Sequence, residues 1–447
     1  MSDSQLGPKK REGMELVAER DYTDCNYGTR SIRRVTGLAV GSAFIVIGLT
    51  IGSVEAESPQ LDLDRFVLVT QANQRGEDDR CNAVSQYTIG DYEPVFRYPA
   101  ENSELIPHGL ASTTDFMQIF TLFGYGPAPR IHNSEAFLLK QEPDNPNSKG
   151  LRRVTRIPNP LLTWERSIAI MPDDETLLVE ESAAGPNRAN TGIAKYCLSE
   201  IDPGGALGPR RGYFHAGWNL WQIIPSRDGQ VAHLVSAEPN LIPFVSMDVG
   251  TMNRAAADVV TAPMDPPHGG DAANNHLGTI SPDERYIITV GLNDSWNVID
   301  TVKRSATKID ISAYCDWPMG SCGEIAFNHG PINHGLLAFR GTDDLVVFEF
   351  NNGNIKKLGK YPIARSWVLH QPLAWSGDGS RIIVNTARQN GDQLLVVKVS
   401  DGGRTLTEDG LFRGCGLKVY PQRTRMILTA NRRLQRVSPS VPCVPPT

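Results

Sequence analysis

Three histidines, His108, His276 and His370, stand at nearly one offset ahead of a recurring Pro/Asp/Gly turn, with His370 one residue earlier than the other two. Imidazoles that converge from three copies of a repeat can ligate copper, zinc or iron, and thiolates beside them favour the softer ions. Cys322 and Cys415 take the place of His370 in two further copies. A metal site at His108, His276 and His370 is one expectation. No tight ligand spacing such as HxH or HExxH accompanies it, and loop histidines also serve as hydrogen-bond partners of neighbouring turns. The cofactor expectation is therefore none, with a transition metal such as copper or zinc as the alternative.

Other clusters carry less chemistry. His268 in PPHGGDAANNH and His329 and His334 in FNHGPINHG lie in Gly-rich loops that can line a ligand pocket, although such loops more often serve as plain surface. Asp78 with Asp79 and Asp173 with Asp174 are adjacent carboxylates without the further oxygen ligands that calcium requires, and they read as turn residues. The chain has no Gly-rich phosphate loop with its lysine, no GxSxG elbow and no CxxCH. Nucleotide hydrolysis, serine hydrolysis and covalent haem are thereby disfavoured.

These residues must be positioned by a repeat. A short apolar strand, a Pro/Asp/Gly turn and a second apolar strand recur in SIAIMPDDETLLVE from Ser167, WQIIPSRDGQVAHLV from Trp221, LGTISPDERYIITV from Leu277 and PLAWSGDGSRIIV from Pro372. Weaker copies begin at Gly109, Glu324 and Leu417, which makes seven. Further strands are expected at Ser295–Asp300, Lys303–Ile311, Gln393–Val399 and Arg404–Leu411. The N-terminal runs FVLVTQA, NAVSQYTI and PVFRY lack the first strand and its turn. The last copy has them and then enters the Pro-rich tail, so the two ends complete one shared blade and leave no free edge. The 41 glycines, 31 prolines and 40% hydrophobic residues suit such a turn-rich β chain.

The expected fold class is all-β, a seven-bladed β-propeller with an N-terminal single transmembrane helix. Over about residues 60 to 440 the SPDE, SGDG, MPDD and PSRDG turns resemble the broad group of seven-bladed propellers that includes YVTN-type repeat proteins and the amine dehydrogenase heavy chain. That resemblance implies architecture only, because the group holds enzymes, lactonases, lyases and pure scaffolds.

The expected organisation is a cytoplasmic tail over 1–34, a transmembrane helix or uncleaved signal anchor over 35–54, a linker over 55–64, the propeller over 65–438 and a Pro-rich tail over 439–447. Val35 to Val54 carries no charge and has the length of a membrane span; Arg30, Arg33 and Arg34 precede it and Glu55, Glu57, Asp62 and Asp64 follow. This order places the N-terminus in the cytoplasm and the propeller in the periplasm, on the outer face of the cell inner membrane. A cleaved signal peptide is the competing reading, since Val54-Glu55-Ala56 and Arg33-Arg34 loosely match processing and twin-arginine patterns. Gly37, Gly41, Gly48 and Gly52 share one helical face, which admits a neighbouring helix closely.

Six of the seven cysteines fall in the exported part, an even number suited to disulfides. Spacing suggests Cys315 with Cys322, and Cys415 with Cys443 as a fastening of the tail, without fixing the connectivity. A net charge of -6 gives no basic footprint, so nucleic acid is not an expected partner. The functional expectation is a non-catalytic accessory or scaffold subunit of a membrane complex, with membrane partners through the helix and protein partners through the propeller faces. The alternatives are a periplasmic metal-dependent oxidoreductase or lyase and a ligand-binding sensor.

Overall fold

The computed structural model describes residues 66–73, 83–90, 92, 94–99, 105–125, 134–141, 151–158, 168–181, 192–202, 206–215, 220–236, 244–255, 278–290, 295–315, 324–364, 373–388, 391–412, 424–430, 436–438 and 443. All of them belong to the unit Pro59–Thr447. Among the described residues no helix is long and apolar enough to cross a membrane. The expected span 35–54, with Gly37, Gly41, Gly48 and Gly52, lies outside them.

Seven four-stranded antiparallel sheets make up the described structure. Sheet 1 joins β1 (Phe66–Asn73), β2 (Ala83–Thr88) and β3 (Pro94–Pro99) to β28 (Thr424–Ala430), in the order β28-β1-β2-β3. Sheet 2 holds β4 (Leu105–Ser112), β5 (Gln118–Tyr125), β6 (Ser134–Gln141) and β7 (Leu151–Pro158). Sheet 3 is β8 (Ile168–Ile170), β9 (Thr176–Glu181), β10 (Gly192–Cys197) and β11 (Gly212–His215). Sheet 4 follows with β12 (Leu220–Pro225), β13 (Val231–Ser236), β14 (Phe244–Asp248) and β15 (Asn253–Arg254). Sheet 5 is β16 (Gly278–Ile280), β17 (Tyr286–Val290), β18 (Ser295–Asp300) and β19 (Ser305–Asp310). In sheet 6 come β20 (Ile325–Phe327), β21 (Leu337–Arg340), β22 (Asp344–Asn351) and β23 (Asn354–Pro362). Sheet 7 closes the series with β24 (Leu373–Trp375), β25 (Arg381–Arg388), β26 (Gly391–Ser400) and β27 (Thr405–Leu411).

The first strands β28, β4, β8, β12, β16, β20 and β24 neighbour one another in that cyclic order, which is the arrangement of an all-β propeller. Closure runs through β1 and β28, paired from Val67 with Ala430 to Asn73 with Thr424. This corrects the reading of the last sequence copy: Met426–Thr429 was expected as a second strand behind Leu417–Tyr420. In the sheet it lies in β28, inside β1, and Leu417–Tyr420 is outside the described residues. The apolar alternation of RMILT is the same for either position, so pattern alone does not distinguish them.

Each sheet is buried on both faces, because its neighbours cover it. β10 and β18 are buried at every residue, whereas the outer strands β19 and β23 show mainly exposed positions. The core therefore lies between sheets. Phe120, Leu138, Ile168, Leu177 and Ala194 pack sheet 2 on sheet 3. Trp296, Ile288, Phe339, Val346 and Phe348 pack sheet 5 on sheet 6, with the Trp296 ring edge-on to Phe339 at 5.0 Å and to Phe348 at 5.5 Å.

The turns that carry the sequence repeat are held by one device. The hydroxyls of Thr113, Ser226 and Ser376 donate at 2.6 Å to the carboxylates of Asp115, Asp228 and Asp378, and Ser281 donates to Asp283 in the same way. Each carboxylate also accepts a backbone N–H two residues on, from Met117, Gln230, Ser380 and Arg285. Each hydroxyl in turn accepts the N–H that opens the second strand. Short polar side chains that satisfy their own turn make the turn independent of distant contacts.

Replacing Asp283 with Ala removes the acceptor of the buried Ser281 hydroxyl and of the Arg285 N–H. Leaving a buried donor unmade costs about 1–3 kcal/mol, so the urea unfolding midpoint is expected to fall accordingly; an unchanged midpoint would show that the turn device does not contribute.

Candidate functional site

The innermost strands begin at one end of the propeller, the mouth end, and run into the Ser/Thr-Asp turns at the other. Along their length they are stitched together by side chains. The Gln222 amide pairs with the Gly278 backbone, Nε2 donating to its carbonyl at 3.1 Å and Oε1 accepting its N–H at 2.7 Å. Thr279 Oγ1 accepts the Phe327 N–H at 3.0 Å, and Trp375 Nε1 donates to the Ala326 carbonyl at 3.0 Å. Glu324, directly ahead of β20, accepts the Leu373 N–H of sheet 7 at 3.3 Å and is only 4% exposed.

A second layer of buried polar groups surrounds this ring. Glu180, Arg340 and Asn385 each follow the residue that pairs with the start of an innermost strand: Val179 with Ile168, Phe339 with Ile325, Val384 with Leu373. All three are buried. The Arg340 guanidinium donates to the carbonyls of Gly341, Thr342 and Ala364, the last at 3.1 Å. Buried charge persists where hydrogen bonds compensate its desolvation. The sequence reading missed these residues, although a charge directly before the apolar run IAF was a visible signal for Glu324.

Of the three expected ligand histidines, His108 alone is among the residues the structure describes. His108 lies within β4 rather than ahead of it, at a bulge where the pairing steps from Pro107 to Gly109. Trp221, its equivalent in the fourth sheet, is the bulged residue between Leu220 and Gln222. The two innermost strands thus carry a bulge at one register, toward the mouth end. His276, His370, His268, Cys322 and Cys415 lie outside the described residues, as do Asp78 and Asp79.

The described loop histidines are held by the fold. FNHGPINHG, expected as plain surface more often than as pocket lining, is the turn insertion between β20 and β21 that braces sheet 7. Asn328 Nδ2 donates to the carbonyls of Ile332, Asn333 and Gly379, His329 Nε2 donates to Ile280 at 3.0 Å, and His334 Nδ1 donates to Gly330 at 3.1 Å. Gly330 is necessary because a Cβ there would stand 2.4 Å from the Asp378 carbonyl carbon. Asp173 and Asp174 prove to be turn residues. Asp173 accepts the Glu175 and Thr176 N–H groups, and Asp174 accepts the Thr114 N–H and hydroxyl of sheet 2.

The turn end is also crossed by the C-terminal tail. Val437 N–H donates to the Pro172 carbonyl at 2.9 Å, and its side chain is the nearest group to the open side of Gly229 in the neighbouring turn. Cys443 is then disulfide-bonded to Cys197, the last residue of β10, with 5.7 Å between the Cα atoms. The expected pairing of Cys443 with Cys415 is thus corrected: the tail is fastened to sheet 3, which sequence distance gave no means of seeing. Cys315 is disulfide-bonded as well, to a cysteine outside the described residues.

Electrostatics at this end are those of a buried scaffold. Burial lowers the Lys195 ammonium pKa against the opposing pull of Asp173 and Asp248, and its Nζ donates to the Val249 carbonyl at 3.1 Å. Burial raises Asp174 despite its Thr114 bonds. For Asp378 burial acts upward too, but the Ser376 and Ser380 bonds outweigh it and the net shift is down. Asp409 behaves likewise: burial raises, and the bonds from Arg381 at 2.6 Å and Tyr92 at 2.9 Å bring it below the ordinary value. That cluster ties sheet 7 to sheet 1.

No protein-family model matches the chain, and no curated protein matches it in sequence. Solved structures match in fold. A provisionally assigned 6-phosphogluconolactonase of Bacteroides fragilis NCTC 9343 superposes with a TM-score of 0.54 at 10% identity, over 82% of this chain and 99% of its own. Its counterpart from Bacteroides uniformis ATCC 8492 gives 0.52 at 14%, over 77% and 95%. A functionally unknown protein of Desulfotomaculum acetoxidans DSM 771 gives 0.53 at 11%, over 79% and 97%. At these identities the likeness is one of fold alone.

Asp378 and Asp409 both have folded pKa values below the ordinary 3.8. Their stabilisation is present above that value and is lost as pH falls through the depressed folded values. Urea stability is therefore expected to decline below about pH 4, and Asp409→Asn is expected to remove part of that decline. An identical pH profile in the variant would refute the assignment.

Proposed function

We propose that this chain is a membrane-anchored, extracytoplasmic seven-bladed propeller, each four-stranded sheet being one blade, that serves as a non-catalytic accessory or scaffold subunit of a larger membrane complex. The observation that carries the reading is the Cys197–Cys443 disulfide. Structural disulfides of this kind belong to oxidising compartments, which supports the topology argued from basic residues before and acidic residues after Val35–Val54. The same bond fastens a tail across the turn end, where the described polar groups bond one another. Such a body presents fixed surfaces, and fixed surfaces suit docking.

The mouth end supports a second reading, a periplasmic metal-dependent oxidoreductase or lyase. Its specific observation is the bulge at His108, with the buried Glu324 at the same end. Copper or zinc on His108, His276 and His370 is the corresponding cofactor proposal.

Gentle detergent extraction followed by size analysis and mass spectrometry is expected to yield stoichiometric membrane partners. Leucine at Gly37, Gly41, Gly48 and Gly52 is expected to strip the partners while the chain stays in the membrane. Free monomer from the unaltered chain defeats the scaffold reading. The second reading requires at least one equivalent of transition metal in native protein and its loss in the His108→Ala, His276→Ala, His370→Ala variant; metal-free native protein defeats it.

A further inference from the structure

The fastening of the tail has a third member. Glu175, between the sheet 3 turn and β9, brings a carboxylate oxygen to within 4.8 Å of the sulfurs of both Cys197 and Cys443. Three chain segments thus converge: a turn, the end of β10 and the C-terminal tail. From this juxtaposition we propose that Glu175, Cys197 and Cys443 form a site for a thiophilic divalent cation, zinc above all, that exists while the two cysteines are reduced.

Two thiolates and a carboxylate are a ligand set that zinc accepts, with a fourth position left for water. Around zinc, such donors stand about 3.6–3.8 Å apart, given Zn–S near 2.3 Å and Zn–O near 2.1 Å. The two sulfurs, bonded to each other in the oxidised form, must part by side-chain rotation to reach this spacing, from Cα atoms 5.7 Å apart and with the carboxylate oxygen within 4.8 Å of both. The carboxylate is already oriented: the Ser199 N–H donates to Glu175 Oε1 at 3.0 Å and the Ser199 hydroxyl donates to the same oxygen. Support of that kind fixes a metal-binding carboxylate. The Leu198 N–H donates to the Glu175 carbonyl at 2.9 Å and holds the two backbone segments in step. Cys197 and Cys443 are 0% and 4% exposed, which shields the chelate from competing water.

Disulfide and chelate exclude each other. A dithiol reductant gives two electrons and two protons to the S–S bond, leaving two thiols here and a disulfide on the reductant. On metal binding each thiol releases its proton, and two S–metal bonds form. In the metal-free reduced form the Cys443 thiol has the Tyr196 carbonyl, 3.4 Å from its Sγ, as a hydrogen-bond acceptor. The tail is thus fastened to sheet 3 by the ion before oxidation and by the covalent bond after it.

The test uses the full-length protein in detergent, reduced with a phosphine and titrated with Co2+ as the probe. A thiolate-to-cobalt charge-transfer band is expected in the near ultraviolet, saturating with an increment of one equivalent that Cys443→Ser removes. Zn2+ is expected to slow alkylation of Cys197 and Cys443 at least tenfold, read by mass spectrometry. Glu175→Gln, which keeps the disulfide when oxidised and so reports a folded chain, is expected to weaken cobalt binding at least tenfold. Equal cobalt spectra for unaltered and Cys443→Ser protein, absence of protection at the two cysteines, or unchanged affinity in Glu175→Gln overturns the proposal.

Discussion

Closure of this propeller depends on the pairing of β1 with β28. Sheets 2 to 7 are each built from consecutive strands and form locally, but the outward faces of sheets 7 and 1 are covered only when the ring is closed, where Ile383, Leu394 and Val396 pack against Tyr87 and Ile89. Closure brings together strands from opposite ends of the folded unit. The entropy of joining such distant segments grows only as the logarithm of their separation, so a ladder from Val67–Ala430 to Asn73–Thr424 is enough to secure it. The return is a core between neighbouring sheets all round the ring, and the pairing of two edges, of β1 and of β28, that an open array would leave exposed.

What could be read in the chain was what is local. The Ser-Pro-Asp-Glu and Ser-Gly-Asp-Gly turns were legible because their hydroxyl, carboxylate and amide groups satisfy one another within five residues, and the apolar runs on either side were legible because strands buried on both faces need them. The assignment of β28 to the inner position was not legible, since an alternating apolar segment fits a first or a second strand equally well. Nor was the partner of Cys443: disulfide connectivity is a fact of tertiary proximity, and 246 residues separate it from Cys197. At the candidate site the position of His108 near the start of an innermost strand was readable, but the bulge beneath it was not. Glu324 and Arg340 escaped for a related reason, because a charged residue in a turn-rich chain reads as surface until burial is known.

The two ends of the propeller differ in how their polar groups are used. At the turn end, hydroxyls and carboxylates close their own turns and then reach across to the next sheet, as Asp174 does to Thr114 and Asn328 to Gly379. Toward the mouth end the Glu324 carboxylate bonds the backbone of the next innermost strand, and charged groups such as Glu324 and Arg340 lie under the surface. One end is therefore braced by repetition. The other is braced by residues that differ from sheet to sheet, and that diversity is what a recognition surface requires.

The tail's attachment also divides the chain mechanically. The disulfide makes a covalent loop of everything from Cys197 to Cys443, enclosing β11 through β28. A single backbone cut anywhere inside that loop leaves the two pieces joined, whereas β1 through β9 lie outside it, with β1 hydrogen-bonded to β28 and β9 to β10. Tension applied from the N-terminal side therefore peels strands in sequence from β1 and is arrested at Cys197, where the load passes into a closed covalent circuit.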